Sequence, residues 1–410
     1  MTQTTAGQAD TQAGMQGGQA GAQTAAQTTP WLNTYNWSQQ PDWANLTLAG
    51  AAATAAAATT AAAATTAAAA TAAAVTKATT TTAAAAEPHT DLLTGNALAG
   101  RDFLRMLDIT PTEFHTVLSL ALANKAHWKA NAAQMQAQAL YAGQAVGIIM
   151  EKPSLRTRVS FEVATARMGA YPVVMSDSSS AFSRGESVKD TVMVMERFVQ
   201  AIVIRSFAQA RVAEIAHWAR IPVINALTDD FHPCQGLADF LTMYEHKGNL
   251  SKLKLAYVGD GNNMAHTYLE GGALCGMEVR VATPKGYAPQ SSYVEQCQEV
   301  ADKTGAILTV GNDMQAALAG ADVVITDTWA SMGAEAEHDE RTVAFKDYQI
   351  NASAFEHAAP EAIFMHCLPA HRGEEVTNQV MDAQFSAIYD EAENRLHAQQ
   401  ALLMMLMAEK

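Results

Sequence analysis

Ala145-Val146-Gly147-Ile148-Ile149-Met150, followed directly by Glu151-Lys152-Pro153-Ser154-Leu155-Arg156-Thr157-Arg158, is the stretch on which the reading of this chain turns. The first six residues form an apolar run of strand length. From Val159 to Met168 apolar side chains recur at helical spacing, so the whole reads as a strand, a tight turn and a helix start. Pro153 discourages helix before Ser154, and Ser154 can act as the N-cap. Two arginines then occupy the first turn, where the helix dipole normally favours acids. That placement becomes favourable when an anion sits there, held by free backbone N–H groups, the Ser154 and Thr157 hydroxyls and the Arg156 guanidinium. The stretch therefore reads as a phosphate cradle. The ordinary alternative is a pair of surface arginines matched to acids elsewhere.

Outward from this unit, short β-rich runs alternate with amphipathic stretches. Tyr171 to Met175, Ala201 to Arg205 and Ile221 to Asn225 continue the first series. Leu253 to Gly259, Glu278 to Thr283, Ala306 to Val310, Asp322 to Asp327 and Ile363 to Cys367 form a second. Such alternation is the signature of an α/β fold with doubly wound parallel sheets. Two domains are expected, over residues 92–231 and 232–391. His232 to His246 is long enough to be a helix joining them. A final helix, Ala392 to Ala408 within 392–410, is expected to pack back on the first domain.

The chain has 410 residues, 49% of them hydrophobic, and a formal net charge of −15. Large cores can be filled, while nucleic acid and anionic membrane are poor partners for so acidic a surface. A local arginine cluster must then be explained by a small anion. Four cysteines, Cys234, Cys275, Cys297 and Cys367, form no C-x-x-C pair, which suits a reducing, cytoplasmic setting. Met1 is followed by Gln, Thr, Ala and Gly, and the first arginine is Arg101, so neither a secretory nor a mitochondrial leader is expected.

Residues 1–91 read as a low-complexity tail. Gln, Ala, Gly and Thr make up residues 1–29, and Ala and Thr nearly all of 51–86. So little apolar area per residue cannot offset the entropy of ordering, and disorder is expected. Alanine and threonine also lack the transfer energy for a membrane span. Between the two tracts lie Trp31, Tyr35, Trp37 and Trp43, which hold three of the chain's six tryptophans. Whether they dock on the folded part is open from the residues alone.

In parallel sheets ligands gather beyond the carboxyl ends of the strands, so the residues just after each run are the informative ones. The first domain offers Ser154, Arg156, Thr157 and Arg205, then His232-Pro233-Cys234-Gln235. In the second, Gly259-Asp260-Gly261-Asn262-Asn263 opens a helix. It weakly suggests dinucleotide binding, but Met264 stands where the third glycine belongs. Asp327-Thr328-Trp329-Ala330-Ser331-Met332-Gly333 ends a strand, His366-Cys367-Leu368-Pro369 ends another, and Glu393-Asn394-Arg395 lies in the final helix. Adjacent side chains on a strand point to opposite faces, which argues against His366 and Cys367 acting on one atom.

These segments, in this order from residue 92 onward, resemble the aspartate and ornithine carbamoyltransferase family. Ser154 to Arg158 is similar to its S-T-R-T-R motif, with Leu155 replacing a threonine. The others are similar to H-P-x-Q, G-D-G-N-N, D-x-W-x-S-M-G, H-C-L-P and E-N-R, the Ser-Met-Gly and H-C-L-P forms belonging to the ornithine branch. The resemblance implies that carbamoyl phosphate is bound by Ser154, Leu155, Arg156, Thr157, Arg205, His232, Gln235, Cys367, Leu368 and Arg395. It implies that ornithine is bound by Asn263, Asp327, Ser331 and Met332. Arg156, Arg205, His232, Asp327, Cys367 and Arg395 would be catalytic, producing citrulline and phosphate with no metal and no cofactor. A homotrimer, or a multiple of trimers, is implied by Ser180 to Ser187, similar to a loop that reaches into a neighbouring subunit's site. There the usual donor is replaced by Ala181, and Ser183 or Arg184 is expected to substitute. Three alternatives stay open: a carbamoyltransferase for putrescine or an N-acylornithine, a non-catalytic homologue that binds carbamoyl phosphate, and an NAD-dependent oxidoreductase built on Gly259 to Gly261.

Overall fold

The computed structural model describes residues 29–46, 93, 96–130, 139–176, 185–330 and 335–409. The opening run is β1 (Ala145–Met150), and only its first residue is less than buried. With β2 (Tyr171–Ser176), β3 (Ala201–Arg205) and β4 (Val223–Leu227) it makes a parallel sheet of order β2-β1-β3-β4. Ile148 pairs with Val174 on one side and Val203 on the other, so the first strand of the sequence is central in space. The second sheet is also parallel: β5 (Lys254–Val258), β6 (Glu278–Ala282), β7 (Ile307–Gly311), β8 (Val323–Thr326) and β9 (Ile363–His366), in the order β7-β6-β5-β8-β9. Each sheet starts near its middle, winds one way and then the other. This places a crevice beside β1 and another beside β5.

Helices cover these sheets: α1 (Pro111–Ala130), α2 (Leu155–Arg167), α3 (Val188–Met195), α4 (Gln209–Trp218), α5 (Pro233–Lys247), α6 (Asn263–Cys275), α7 (Ser291–Thr304), α8 (Met314–Leu318), α9 (His338–Phe345) and α10 (Ile388–Leu406). The two-domain α/β architecture expected from the alternation is present. Of the element boundaries that moved by a few residues, two have a plain cause. β4 begins at Val223 rather than Ile221, because Pro222 has no N–H to give a ladder. α10 begins four residues before Ala392, with Asp390 and Glu391 in a first turn whose dipole favours acids.

The joining helix α5 has Pro233 at its first position, and Gly248 ends it at a φ of 78°. α10 packs along α5 and against α1 and α2. Its Leu402, Leu403 and Leu406 enter the main core with Phe114, Phe161 and Phe240. Among the described residues no helix is long and apolar enough to cross a membrane.

The tryptophan segment, whose docking the residues alone left open, is packed on the folded part, so the low-complexity reading of residues 1–91 does not extend to it. Trp31 and Trp43 are buried, and Trp31 Nε1 donates to the Leu107 carbonyl at 2.8 Å. Tyr35 Oη and Thr112 Oγ1 are 2.8 Å apart, and the Trp43 ring lies against Phe114 with centroids 5.4 Å apart. Leu46 N donates to Tyr244 Oη on α5 at 3.1 Å. Indole rings carry the apolar area that alanine and threonine lack. The Ala/Thr tract itself lies outside the described residues.

Candidate active site

The carboxyl ends of the two sheets face a cleft of about 870 Å³. On the first wall Ser154 caps α2 from an extended conformation, its Oγ accepting from Thr157 N at 3.3 Å. Arg156 then projects to the opposite wall, where Nη2 donates to the Leu368 carbonyl at 2.5 Å. β3 ends on Arg205, and the loop after β4 delivers His232. Both are buried, and Arg205 Nε and His232 Nδ1 have no hydrogen-bond partner among the described residues.

Arg395 reaches in from α10. Its Nη1 donates to Gln235 Oε1 at 2.6 Å and its Nη2 to Thr157 Oγ1 at 3.3 Å. Burial, reinforced by Arg395, Arg205 and Arg156, holds His232 well below the usual imidazole range, so it is neutral. Burial, then Arg395 and Arg156, brings Arg205 down to about 9. Cations gathered this closely at a capped helix N-terminus are favourable with an anion between them. A neutral imidazole beside them can donate one hydrogen bond without adding charge.

The second wall begins at Asn262, which caps α6 by accepting from Met264 N at 2.9 Å and Ala265 N at 3.4 Å. Its Nδ2 donates to Asp327 Oδ2 at 3.1 Å. Asn263 Nδ2 donates to the Thr228 carbonyl at 2.6 Å, on the first wall. Asp327 Oδ1 accepts from Thr328 N at 2.8 Å and from Cys367 Sγ at 3.2 Å. Burial, with Asp327 and Glu391 adding to it, pushes the Cys367 thiol well above its usual range. It is a thiol and not a thiolate, which removes the nucleophile reading.

Strand alternation does not separate His366 from Cys367. β9 ends at His366, Cys367 lies beyond it, and donor atoms of Asp327, His366 and Cys367 fall within 4.8 Å of one another. Those donors are already engaged. His366 Nε2 faces Glu375 Oε1 at 3.1 Å, and His366 Nδ1 accepts from Leu368 N at 2.9 Å. Leu368 has a φ of 58°, unusual for a side chain of its size, and this presents its carbonyl to Arg156.

Of the residues anticipated, Ser154, Leu155, Arg156, Arg205, His232, Gln235, Asn263, Asp327, Cys367, Leu368 and Arg395 all line the one cleft. Thr157 is fully buried just behind it. Ser331, Met332, Ala181, Ser183 and Arg184 lie outside the described residues. Among the lining residues not anticipated are Lys152, Asn262 and Arg341. Lys152 is buried, pairs with Asp229 and has its ammonium 4.3 Å from the Phe207 ring centre. Asn262 grips Asp327, and Arg341 ties Asp260 at 2.7 Å to the Trp329 carbonyl at 2.9 Å. Lys152 and Asn262 lay inside segments already singled out by sequence. Arg341 carried no signal, because its partners are 81 and 12 residues away.

The dinucleotide reading of Gly259 to Gly261 also meets its answer here. A Cβ on Gly261 would lie 2.3 Å from Pro289 N and 2.4 Å from the Tyr287 carbonyl oxygen. Gly261 N donates to that same oxygen at 2.9 Å. The glycine admits the chain's own backbone, occupying the space a pyrophosphate would need.

Comparison with known proteins agrees with this geometry. Residues 101–245 match the family described as aspartate/ornithine carbamoyltransferase, carbamoyl-P binding domain, and residues 251–406 the Asp/Orn binding domain of the same family. The chain is 50% identical over 311 residues to an ornithine carbamoyltransferase of Symbiobacterium thermophilum, covering 76% of this chain and 99% of that one. An ornithine carbamoyltransferase of Anoxybacillus flavithermus is 47% identical, with 76% and 98% covered. Among solved structures, ornithine carbamoyltransferase from Pyrococcus furiosus superposes with a TM-score of 0.73 at 43% identity, over 76% of this chain and 99% of that one.

Proposed function

The chain belongs to the aspartate/ornithine carbamoyltransferase family, and we propose that its cleft moves the carbamoyl group of carbamoyl phosphate to the δ-amine of L-ornithine, releasing L-citrulline and phosphate. The observation that carries this reading is the convergence of Arg156, Arg205 and Arg395 on a neutral His232 at the strand ends. In the transfer, negative charge develops on the carbonyl oxygen and on the departing phosphate. Donors already in place there supply most of the barrier lowering.

Ser154, the Leu155 and Arg156 backbone N–H groups, Thr157 and Arg156 hold the phosphate. Arg205 and His232 donate to the carbonyl oxygen, and Gln235, Leu368 and Arg395 hold the carbamoyl group. Asn263, Asp327, Ser331 and Met332 grip the ornithine backbone. Asp327 with the Cys367 thiol orients the neutral δ-amine toward the carbonyl carbon. The amine proton leaves with phosphate, so no protein base is required. Holding two small reactants face to face in one cleft accounts for much of the remaining acceleration.

A homotrimer fits the exposed apolar stripe Leu155, Val159 and Val163 on α2, with Phe198 exposed on the same domain. A cytoplasmic setting fits four free cysteines. The test of the function is ureido-product formation from carbamoyl phosphate with ornithine, putrescine, N-acetylornithine and aspartate in parallel. Citrulline as the dominant product is expected. A faster reaction with another amine would reassign the acceptor, and no product with any would leave a binding protein.

A further inference from the structure

Beneath the carbamoyl end of the cleft, Asp239 of α5 and Glu391 of α10 bring two carboxyl groups into contact. The residues are 0% and 1% exposed, and one nitrogen, Gln235 Nε2, lies within hydrogen-bond distance of both carboxyl groups. Two carboxyls buried side by side without a second cation favour one shared proton over two charges. Their remaining capacity is met by neutral donors. Gln235 Nε2 donates to both acids, at 2.8 Å to Asp239 Oδ1 and 3.1 Å to Glu391 Oε1. Tyr268 Oη donates to Asp239 Oδ2 at 2.8 Å from α6. The backbone N–H of His366 donates to Glu391 Oε2 at 2.8 Å from β9.

This network decides which way the Gln235 amide faces. With its NH₂ claimed by two acids, its oxygen must turn to Arg395 Nη1, at 2.6 Å. Arg395 is thereby kept off the carboxylates and left aimed at Thr157 and the cleft. The bond from His366 N sets the strand end from which Cys367 and Leu368 depart. One acid pair thus reaches α5, α6, β9 and α10, and Gln235 and Arg395, on either side of it, both line the cleft.

We propose that the buried acid pair Asp239–Glu391 positions Gln235 and Arg395 for carbamoyl recognition, an inference that rests on the carbamoyl-transfer reading above. Burial pushes Glu391 well above the usual carboxylate range and Asp239 up to about 7, in keeping with one retained proton. The ionisable groups facing the pair are Tyr268 from α6, Cys367 from the end of β9 and Arg395 from α10 itself. Only Arg395 is cationic, so full ionisation of the pair leaves one charge uncompensated.

The experiment measures binding of carbamoyl phosphate and of inorganic phosphate by calorimetry, with citrulline formation, in the native chain, Asp239→Ala, Glu391→Ala and Glu391→Gln. Both alanine variants are expected to lose about 10²-fold in carbamoyl-phosphate affinity and in kcat/KM. Inorganic phosphate, held by the Ser154–Thr157 cradle, is expected to bind each variant as it binds the native chain. Glu391→Gln, whose amide hydrogen replaces the shared proton and cannot ionise, is expected to recover most of the loss. It should also carry carbamoyl-phosphate binding to higher pH than the native chain does.

Equal loss of both ligands would mean a merely structural role and overturn the proposal, as would native binding in folded alanine variants. Should those variants not fold, an alkaline limb unchanged in Glu391→Gln overturns it alone. If the native chain forms no ureido product and binds the two ligands alike, the underlying reading falls, and the proposal with it.

Discussion

Arg156 Nη2 donates to the carbonyl oxygen of Leu368 at 2.5 Å, joining the anion cradle of the first domain to the β9 loop of the second across 212 residues of sequence. The guanidinium proposed to hold the phosphate is therefore also a latch between the walls of the cleft. Lysine keeps the charge but loses the planar fork that serves two acceptors at once. Arg156→Lys is expected to lower kcat/KM for carbamoyl phosphate by about 10²- to 10³-fold. Steady-state kinetics at saturating ornithine measure this, and a loss below tenfold would refute the dual role.

Asn262 holds Asp327 while capping α6. Asn262→Ala should cost about 1 kcal/mol of stability through the lost cap. It should also raise the ornithine KM while leaving the carbamoyl-phosphate affinity as it was, because Asp327 faces the acceptor half of the cleft. Denaturant titration and two-substrate kinetics read the two effects separately.

Cys367 faces the cleft but is surrounded by acids, and Cys234 and Cys275 are pushed up to about 12 and beyond the ordinary thiol range by burial. At pH 8 a disulfide reagent is expected to titrate the native chain slowly and all four cysteines promptly after denaturation. Fast stoichiometric labelling of Cys367 in the native state would contradict the thiol assignment.

The tryptophan segment lies outside both family-matched regions, which begin at residue 101. It nonetheless contacts α1 and α5. Trp31→Ala and Trp43→Ala are each expected to destabilise the fold by about 3 kcal/mol, as truncation of a buried aromatic does. Urea midpoints should fall while kcat does not, because neither ring lines the cleft. An unchanged midpoint would mean that the segment is not held in solution.

His266 is brought down to about 4, first by burial and also by Arg105, against the opposing pull of the Asp230 carbonyl. Its Nε2 accepts from Gln290 N at 3.0 Å, a bond that protonation removes. An unfolded histidine titrates near 6.5, so between about 6.5 and 4 the unfolded chain binds the extra proton. The stability His266 contributes is complete above pH 6.5 and is lost as pH falls toward 4. The stability advantage over His266→Gln should therefore shrink by roughly 3 kcal/mol across that window. Chemical denaturation of both at pH 7 and pH 4 measures it.

By itself the sequence determined the fold class, because β1, the turn at Pro153 and Ser154, and the α2 periodicity are local patterns. It also pointed to the strand ends whose residues line the cleft, since ligands gather beyond the carboxyl ends of parallel strands. The strand order, the start of β4 beyond Pro222 and the Arg341 tie to Asp260 were decided by tertiary structure, because each joins residues far apart in the chain. The same holds for the packing of Trp31 and Trp43. Their burial depends on a surface made by α1 and α5, which no property of residues 29–46 encodes. The protonation states were decided there as well. His232 is held below the usual imidazole range and Asp239 and Glu391 above the usual carboxylate range because folding removes water and sets arginines and acids at fixed distances, which composition and spacing do not specify.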